Sequence, residues 1–193
     1  MGVRALLLLL LLVACAHSAD PRAPVPLQFA GQVPALDLDR LEQRIHIEVN
    51  AVRQNHGLRP LAWDGDLAHI ARAYSVRLRR AGRLTHTLGG STLARRYKRG
   101  GYRCERPIRG GTVLGGGENL AQMAQVRRVV QRGREAPQPR QVQGSAVLAR
   151  ATVQGWMNSP PHRKNLLMPQ WRVEGIGLVI GRDHRLWITQ NFC

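Results

Sequence analysis

Acidic side chains, lysines and aromatic residues are scarce in this sequence. Only 12 Asp and Glu oppose 29 Lys and Arg, the formal net charge is +17, and Lys98 and Lys164 are the only lysines. Such a charge could attract anionic partners such as phospholipid head groups, or could simply keep the surface soluble. Aromatic residues make up 5% of the chain and do not interleave with the basic runs, which argues against nucleic-acid binding.

The sequence also has no long apolar run near its start. The run from Ala5 to Val13 follows Arg4 and is too short to span a bilayer, so it predicts an export signal. Residues 12–15, Leu-Val-Ala-Cys, resemble a lipobox, which would remove residues 1–14 and place a lipid on Cys15. The alternative is ordinary cleavage after Ala16. We therefore expect either a lipoprotein in the cell envelope, with the outer membrane preferred, or a secreted protein.

Cysteine is equally rare. With Cys15 set aside, Cys104 and Cys193 remain, and in an oxidising compartment they could pair. Such a bridge would contribute about 4 kcal/mol to stability in the chain-entropy model. The alternative is two free thiols too far apart to meet. No cysteine spacing indicates zinc binding or catalysis.

The hydrophobic pattern predicts one domain over residues 37–193, preceded by a Pro-rich tether over residues 15–36. A first helix should start near Asp39 and Glu42, which could form a capping box, and stop at Gly57. The second helix should run from Asp64, as its cap, to Ala81.

The rest of the domain is predicted as two more helices followed by two strands. One helix should follow Glu118, with a flexible insert near residues 131–144, and another should cover residues 145–158. Alternation over residues 171–180 and 185–192 predicts a hairpin, and Gly175 and Gly177 predict close approach of a helix. The fold class is therefore α+β.

Several motifs, taken in their order along the chain, resemble one family. They are Leu84-Thr85-His86-Thr87, Gly117-Glu118-Asn119, Trp156-Met157-Asn158-Ser159-Pro160-Pro161-His162 and, between the first two helices, Gly57-Leu58-Arg59-Pro60-Leu61-Ala62-Trp63-Asp64. This order is similar to the bacterial form of the CAP superfamily, which comprises cysteine-rich secretory, antigen 5 and pathogenesis-related proteins with an SCP-like domain. The resemblance covers Leu41 to Phe192 and implies a three-layer α-β-α sandwich.

His86, Glu118 and His162 form the candidate site. Each is predicted at the end of an element, and two imidazoles with a carboxylate are a sensible ligand set for zinc or another divalent metal. Their spacing alone does not demonstrate a metal site. The resemblance implies a central cavity lined by two histidines and glutamates, but residues 156–159, Trp-Met-Asn-Ser, lack the second glutamate.

Two further sets of residues are assigned around this site. Ser159 and Asn119 are predicted at the cleft rim, and Arg95, Arg96 and Arg99 are predicted to form an anionic-surface contact. No catalytic residue is predicted, because Ser159 has no G-x-S-x-G elbow and no orienting carboxylate nearby.

The sequence therefore favours an exported binding module for an unidentified small ligand, lipid or envelope polymer, with a cleft that could hold a divalent metal. The alternatives are a metal-dependent hydrolase of peptide or envelope polymers, with Glu118 as general base, and a lipid- or anionic-surface-binding protein.

Overall fold

The computed structural model describes residues 32–108 and 110–193, without the side chains of residues 106–108, 113, 114 and 128. The predicted export signal, Cys15 and most of the tether lie outside the described residues. In chain order the elements are α1 (Leu38–Asn55), β1 (Ala62–Trp63), α2 (Gly65–Ala81), a 3-10 turn (Leu88–Gly90), α3 (Leu93–Arg99), β2 (Glu105–Ile108), β3 (Gly111–Leu114), β4 (Gly117–Ala124), β5 (Val126–Val130), β6 (Gln138–Val142), α4 (Ser145–Met157), α5 (Pro160–Leu166), β7 (Val173–Ile180) and β8 (Arg185–Phe192). Among the described residues, no helix combines the length and apolar character needed to cross a membrane.

Short polar side chains start the first two helices. Asp37 accepts a hydrogen bond from the Arg40 backbone N–H at 2.9 Å, and Asp64 accepts one from the Leu67 N–H at 2.9 Å. Each carboxylate satisfies one of the free donors of a first helical turn. α2 ends at Gly82, whose φ of 61° is the left-handed conformation that glycine adopts without strain. The predicted limits of α2 are confirmed.

The predicted capping box at Asp39 and Glu42 is wrong. Glu42 is only 2% exposed, and its carboxylate accepts hydrogen bonds from the Leu178 backbone N–H at 3.0 Å and from Arg72 Nη2 at 2.5 Å. The side chain therefore reaches from α1 to β7 and α2 rather than back to its own helix. Burial against the sheet, which local sequence does not reveal, overrides the capping pattern.

The central sheet has the order β1-β7-β8-β4. β1 pairs parallel with β7, and the β7–β8 and β8–β4 pairs are antiparallel. The predicted C-terminal hairpin is confirmed, with its turn over residues 181–184.

Helices cover both faces of this sheet. A Cβ atom added to Gly175 would lie 2.1 Å from the backbone N of Ala68, and one added to Gly177 would lie 2.0 Å from the backbone N of Arg72, so α2 lies directly against β7. The predicted close approach at these two glycines is confirmed. On the other face, α1 and α4 pack against the apolar side chains of β7 and β8 in the main core. The fold is the expected three-layer α-β-α sandwich.

The segment after Glu118 is a strand, so the helix predicted there is wrong. All eight residues of β4 pair with β8, from Gly117 opposite Phe192 to Ala124 opposite Arg185. A complete ladder of hydrogen bonds to a distant segment outweighs weak local helix preference. This strand places Glu118 at the edge of the sheet nearest α5 and the loop after α2.

The predicted flexible insert near residues 131–144 contains a strand. β6 pairs antiparallel with β5, and the two form a separate two-stranded sheet.

The alternative of free thiols is excluded, because Cys104 and Cys193, which are 89 positions apart in the sequence, form a disulfide. The bridge ties the segment after α3 to the end of β8.

Candidate functional site

A strand, a helix and a loop bring His86, Glu118 and His162 close together. Glu118 is the second residue of β4, His86 lies in the loop after α2, and His162 is in the first turn of α5. Pro160 and Pro161 open α5, where the missing N–H groups cost no intrahelical hydrogen bond. We call His86, Glu118 and His162 the histidine cleft.

Glu118 is the buried centre of this cleft. Its side chain is 4% exposed, and Oε1 lies 2.8 Å from Nδ1 of His86, whose own side chain is 54% exposed. The carboxylate is an acceptor, so Nδ1 of His86 donates, and in the neutral imidazole Nε2 carries the lone pair. The pair therefore presents an oriented imidazole nitrogen to solvent.

Arg96 holds Glu118 from the other side, and sequence reasoning missed this role. Nη2 of Arg96 donates to Oε2 of Glu118, and Nη1 donates to the carbonyl oxygens of His86 at 3.0 Å and Ser91 at 2.5 Å. Its guanidinium also lies over the Tyr74 ring, 3.6 Å from the centroid. One cation thus neutralises the carboxylate and fixes the loop that carries His86.

The prediction of Arg96 as a surface contact is therefore wrong. Its side chain is 5% exposed because the ion pair with Glu118 and the Tyr74 ring draw it inward. Arg95 and Arg99 remain exposed. A basic run in the sequence does not distinguish the inward arginine from its neighbours on a short helix.

His162 faces His86 across the cleft. Their ring centroids are 6.5 Å apart with an interplanar angle of 46°. Burial, and secondarily the nearby imidazole of His86, lower the pKa of His162 below its ordinary value. The neutral form, which has a nitrogen lone pair available, is favoured near neutral pH.

Asn119 lies beneath the cleft, and its predicted position at the rim is wrong. The residue is 0% exposed, and its amide nitrogen donates to the His162 carbonyl at 3.3 Å and to Gln190 Oε1 at 3.1 Å. Asn165 donates to the Asn119 side-chain oxygen at 3.0 Å and to the Glu118 carbonyl at 3.0 Å. These amides fasten α5 to β4, so they set the distance between His162 and Glu118.

Ser159 precedes α5 at its N-cap position and is partly exposed. Its side chain makes no capping hydrogen bond, and its backbone carbonyl accepts from the Arg163 N–H at 2.8 Å. The residue lies three positions before His162, which is in the first turn of that short helix. Its predicted place at the rim stays a prediction.

The three predicted metal ligands differ in whether their donor atoms already have protein partners. Within the described residues, no group of three or more His, Cys, Asp or Glu is placed to hold an ion. Both oxygens of Glu118 are engaged, one by His86 and one by Arg96. The residues available to a metal are the two imidazoles, with Glu118 as the acceptor that orients one of them, an arrangement common around bound metals.

A groove of about 750 Å³ opens on the far side of α3. Its lining is mainly apolar and includes Leu93, Ala94, Tyr97 and Tyr102, with Lys98 also lining it. Tyr97 donates to the Phe192 carbonyl at 3.0 Å and Tyr102 to Asp64 at 2.7 Å, so both rings are held in place. The volume is in the range of small-molecule sites, but the histidines do not line this groove.

Comparisons with known proteins agree with this geometry. A family model described as the cysteine-rich secretory protein family, CAP, matches residues 47–192. An extracellular SCP-domain protein from Bacillus anthracis has a similar solved structure, with 28% identity and a TM-score of 0.57 over 83% of this chain and 44% of that one. No protein of curated function matches the chain.

Two further solved structures share the fold. An outer surface protein from Borrelia burgdorferi has 20% identity and a TM-score of 0.59, covering 83% of this chain and 97% of that one. A cysteine-rich secretory protein from Staphylococcus aureus has 18% identity and a TM-score of 0.53, covering 84% and 40%. The chain thus spans less than half the length of the Bacillus and Staphylococcus proteins. Because the family model matches most of the chain and these solved structures share its fold, this protein belongs to the CAP family of cysteine-rich secretory proteins.

Proposed function

We propose that this CAP domain is an exported binding module of the cell envelope, whose histidine cleft holds a divalent metal ion or a polar ligand. The observation that carries the proposal is the oriented imidazole of His86. Glu118, itself fixed by Arg96, accepts a hydrogen bond from Nδ1 of His86, which leaves Nε2 free in the neutral imidazole, and His162 lies opposite with a centroid separation of 6.5 Å.

Zinc is the ion that this donor set favours. Imidazole nitrogen suits zinc better than calcium or magnesium, which prefer oxygen ligands. His86 and His162 would hold the ion, and water or a ligand group would complete its coordination. Bound zinc would supply Lewis acidity at the cleft. Glu118 would act through His86, because its oxygens already have partners.

Three observations support export. The sequence starts with a predicted signal, and the Cys104–Cys193 disulfide is typical of an oxidising compartment. The similar Bacillus protein is described as extracellular and the Borrelia protein as an outer surface protein. We propose that Cys15 carries a lipid anchor, with the outer membrane preferred, and that residues 15–36 act as a tether.

Binding is better supported than hydrolysis. A general base must be free to accept a proton from water, and both oxygens of Glu118 are already hydrogen-bonded. The second glutamate of the family pattern is absent, so no other carboxylate of that pattern takes over the role.

The test is zinc binding to protein purified without a polyhistidine tag and stripped with chelator, measured by calorimetry. We expect one zinc per chain in the wild type and none in the His86→Ala/His162→Ala variant. Glu118→Gln should keep the site but bind about 10–100-fold more weakly, since it loses an orienting partner of a ligand.

The matched control is His56→Ala/His69→Ala, which removes two exposed histidines outside the cleft. It should bind zinc as the wild type does. Full zinc binding by the His86/His162 variant, or its loss in the control alone, would reject the cleft as the metal site.

A further inference from the structure

A basic two-stranded ribbon follows β4 and forms a sheet of its own, and it has no part in the histidine cleft. β5 and β6 pair from Val126 opposite Val142 to Val130 opposite Gln138, and among the described strands they pair only with each other. We call residues 126–142 the arginine ribbon. A two-stranded ribbon that shares no core with a larger sheet contributes little to stability by itself.

The ribbon concentrates positive charge. It holds five arginines against one acidic residue, Glu135, which gives a formal charge of +4 from 5 − 1; the arginines are Arg127, Arg128, Arg132, Arg134 and Arg140. The four arginines whose side chains the structure describes are exposed. Among the described residues, no carboxylate forms an ion pair with any of them. Their guanidinium groups are therefore free to pair with phosphate, often through two hydrogen bonds.

Apolar side chains accompany these charges. Val129 is 38% exposed and Val142 is 37% exposed, two of the five large hydrophobic residues that are exposed in the described part of the chain. Arginines interspersed with exposed valines suit the head-group region of a bilayer, where guanidinium meets phosphate and short apolar side chains reach the acyl boundary.

The position of the ribbon in the fold also agrees with a contact to a bilayer. Gln125, immediately before the ribbon, donates from Nε2 to the Pro34 carbonyl at 2.9 Å, so the first described residues lie at the base of the ribbon. Glu118 lies at the other end of β4, six residues from Ala124, or roughly 20 Å along an extended strand. The ribbon and the histidine cleft are therefore at opposite ends of the sheet.

We propose that the arginine ribbon docks on the surface of an anionic phospholipid bilayer. The charge complements the head groups, and Pro34, near the start of the described residues, is hydrogen-bonded at the base of the ribbon. Docking in this orientation turns the histidine cleft away from the membrane, toward the compartment where a ligand would arrive. The proposal does not depend on metal binding at the cleft.

The test uses the chain from Ala16, which contains every described element and lacks any lipid on Cys15. Partition is measured by co-sedimentation with vesicles of phosphatidylcholine alone or with about one third phosphatidylglycerol. We expect binding to the anionic vesicles that weakens with added salt. Replacing Arg127, Arg132, Arg134 and Arg140 by alanine should lower partition at least about tenfold, and replacing them by lysine should lower it much less.

The matched control removes the same charge elsewhere, by alanine at the exposed Arg79, Arg80, Arg95 and Arg99. It contains both exposed members of the basic patch predicted from the sequence, and it should keep most of the binding. Equal losses in the two variants would show that only net charge matters and would overturn the proposal. Ribbon-dependent binding to soluble dextran sulfate without vesicle binding would also overturn it, in favour of an anionic polymer. Thermal unfolding of each variant confirms that the fold is kept.

Discussion

Two histidine–glutamate pairs lie on opposite faces of the central sheet, and they differ in what else touches them. In the cleft, His86 is 54% exposed and its Glu118 is held by Arg96. On the other face, His46 of α1 is 16% exposed and lies 2.6 Å from Glu174 of β7, which is fully buried. The same histidine–glutamate contact therefore leaves the imidazole exposed in the cleft, whereas on the other face the imidazole is mostly buried.

The second oxygen of each glutamate explains the difference. Glu174 accepts from the Gln190 amide at 2.5 Å, and the Trp63 ring packs edge-on against His46 with centroids 5.5 Å apart. Glu118 instead accepts from a charged guanidinium, and a second histidine stands near its partner. A carboxylate neutralised by arginine can hold an exposed imidazole in one orientation, whereas an amide-paired carboxylate completes a buried polar network.

Removing the buried carboxylate should have the largest effect. Glu174→Ala leaves His46 and Gln190 without their partner in a site closed to solvent, and we expect it to lower the free energy of unfolding by about 3–5 kcal/mol. Urea denaturation measures this change. The control is Glu48→Ala, which breaks the surface pair with Arg150 and should cost less than about 1 kcal/mol. Similar losses in both variants would contradict the distinction drawn between the two pairs.

Removing the arginine of the cleft should have an intermediate effect. Arg96→Met keeps an unbranched side chain but leaves the Glu118 carboxylate without its cation, at a cost of about 2–3 kcal/mol in unfolding free energy. Arg95→Met, on the exposed side of the same helix, should change it by less than about 0.5 kcal/mol. If the two substitutions proved equivalent in urea denaturation, Arg96 would not be the residue that stabilises Glu118.

The pH dependence of stability should give the smallest effect. The pKa of His162 is lowered in the folded protein, so the unfolded chain takes up this proton first as the pH falls. Stability contributed by the neutral imidazole is present above the ordinary histidine pKa and is lost as the pH falls from there toward the lowered value. His162→Gln should therefore show a shallower decrease in unfolding free energy between pH 7 and 5 than the wild type, and a slope equal to that of the exposed-residue control His69→Gln would contradict this.

Local chemistry made much of the fold predictable. Asp64 and Gly82 define the ends of α2, and the alternation of the last two strands defines their hairpin, because caps and turns depend on neighbouring residues. Gly175 and Gly177 indicated the approach of a helix, since a side chain there would collide with α2. The three candidate cleft residues were also found, through motifs rather than through spacing.

The wrong predictions share one cause, which is that each depends on contacts between residues far apart in the sequence. β4 was predicted as a helix because its hydrogen-bond partner, β8, lies more than 60 positions away. Arg96 resembles Arg95 in the sequence, and only the buried Glu118 of another element draws it inward. Asn119 was placed at the rim because a motif records a residue's order but not the face of the strand on which it lies.

The sequence by itself determined the ends of α2, the C-terminal hairpin, the family and the identity of the three cleft residues, because each depends on local propensity or on a short motif. Tertiary structure alone decided that Cys104 meets Cys193, that Arg96 pairs with the second oxygen of Glu118, and that His46 is largely buried while His86 is exposed. Those outcomes depend on which groups, distant in the sequence, meet in the folded protein. They also depend on burial, because charge–charge interactions and hydrogen bonds are stronger where water is excluded.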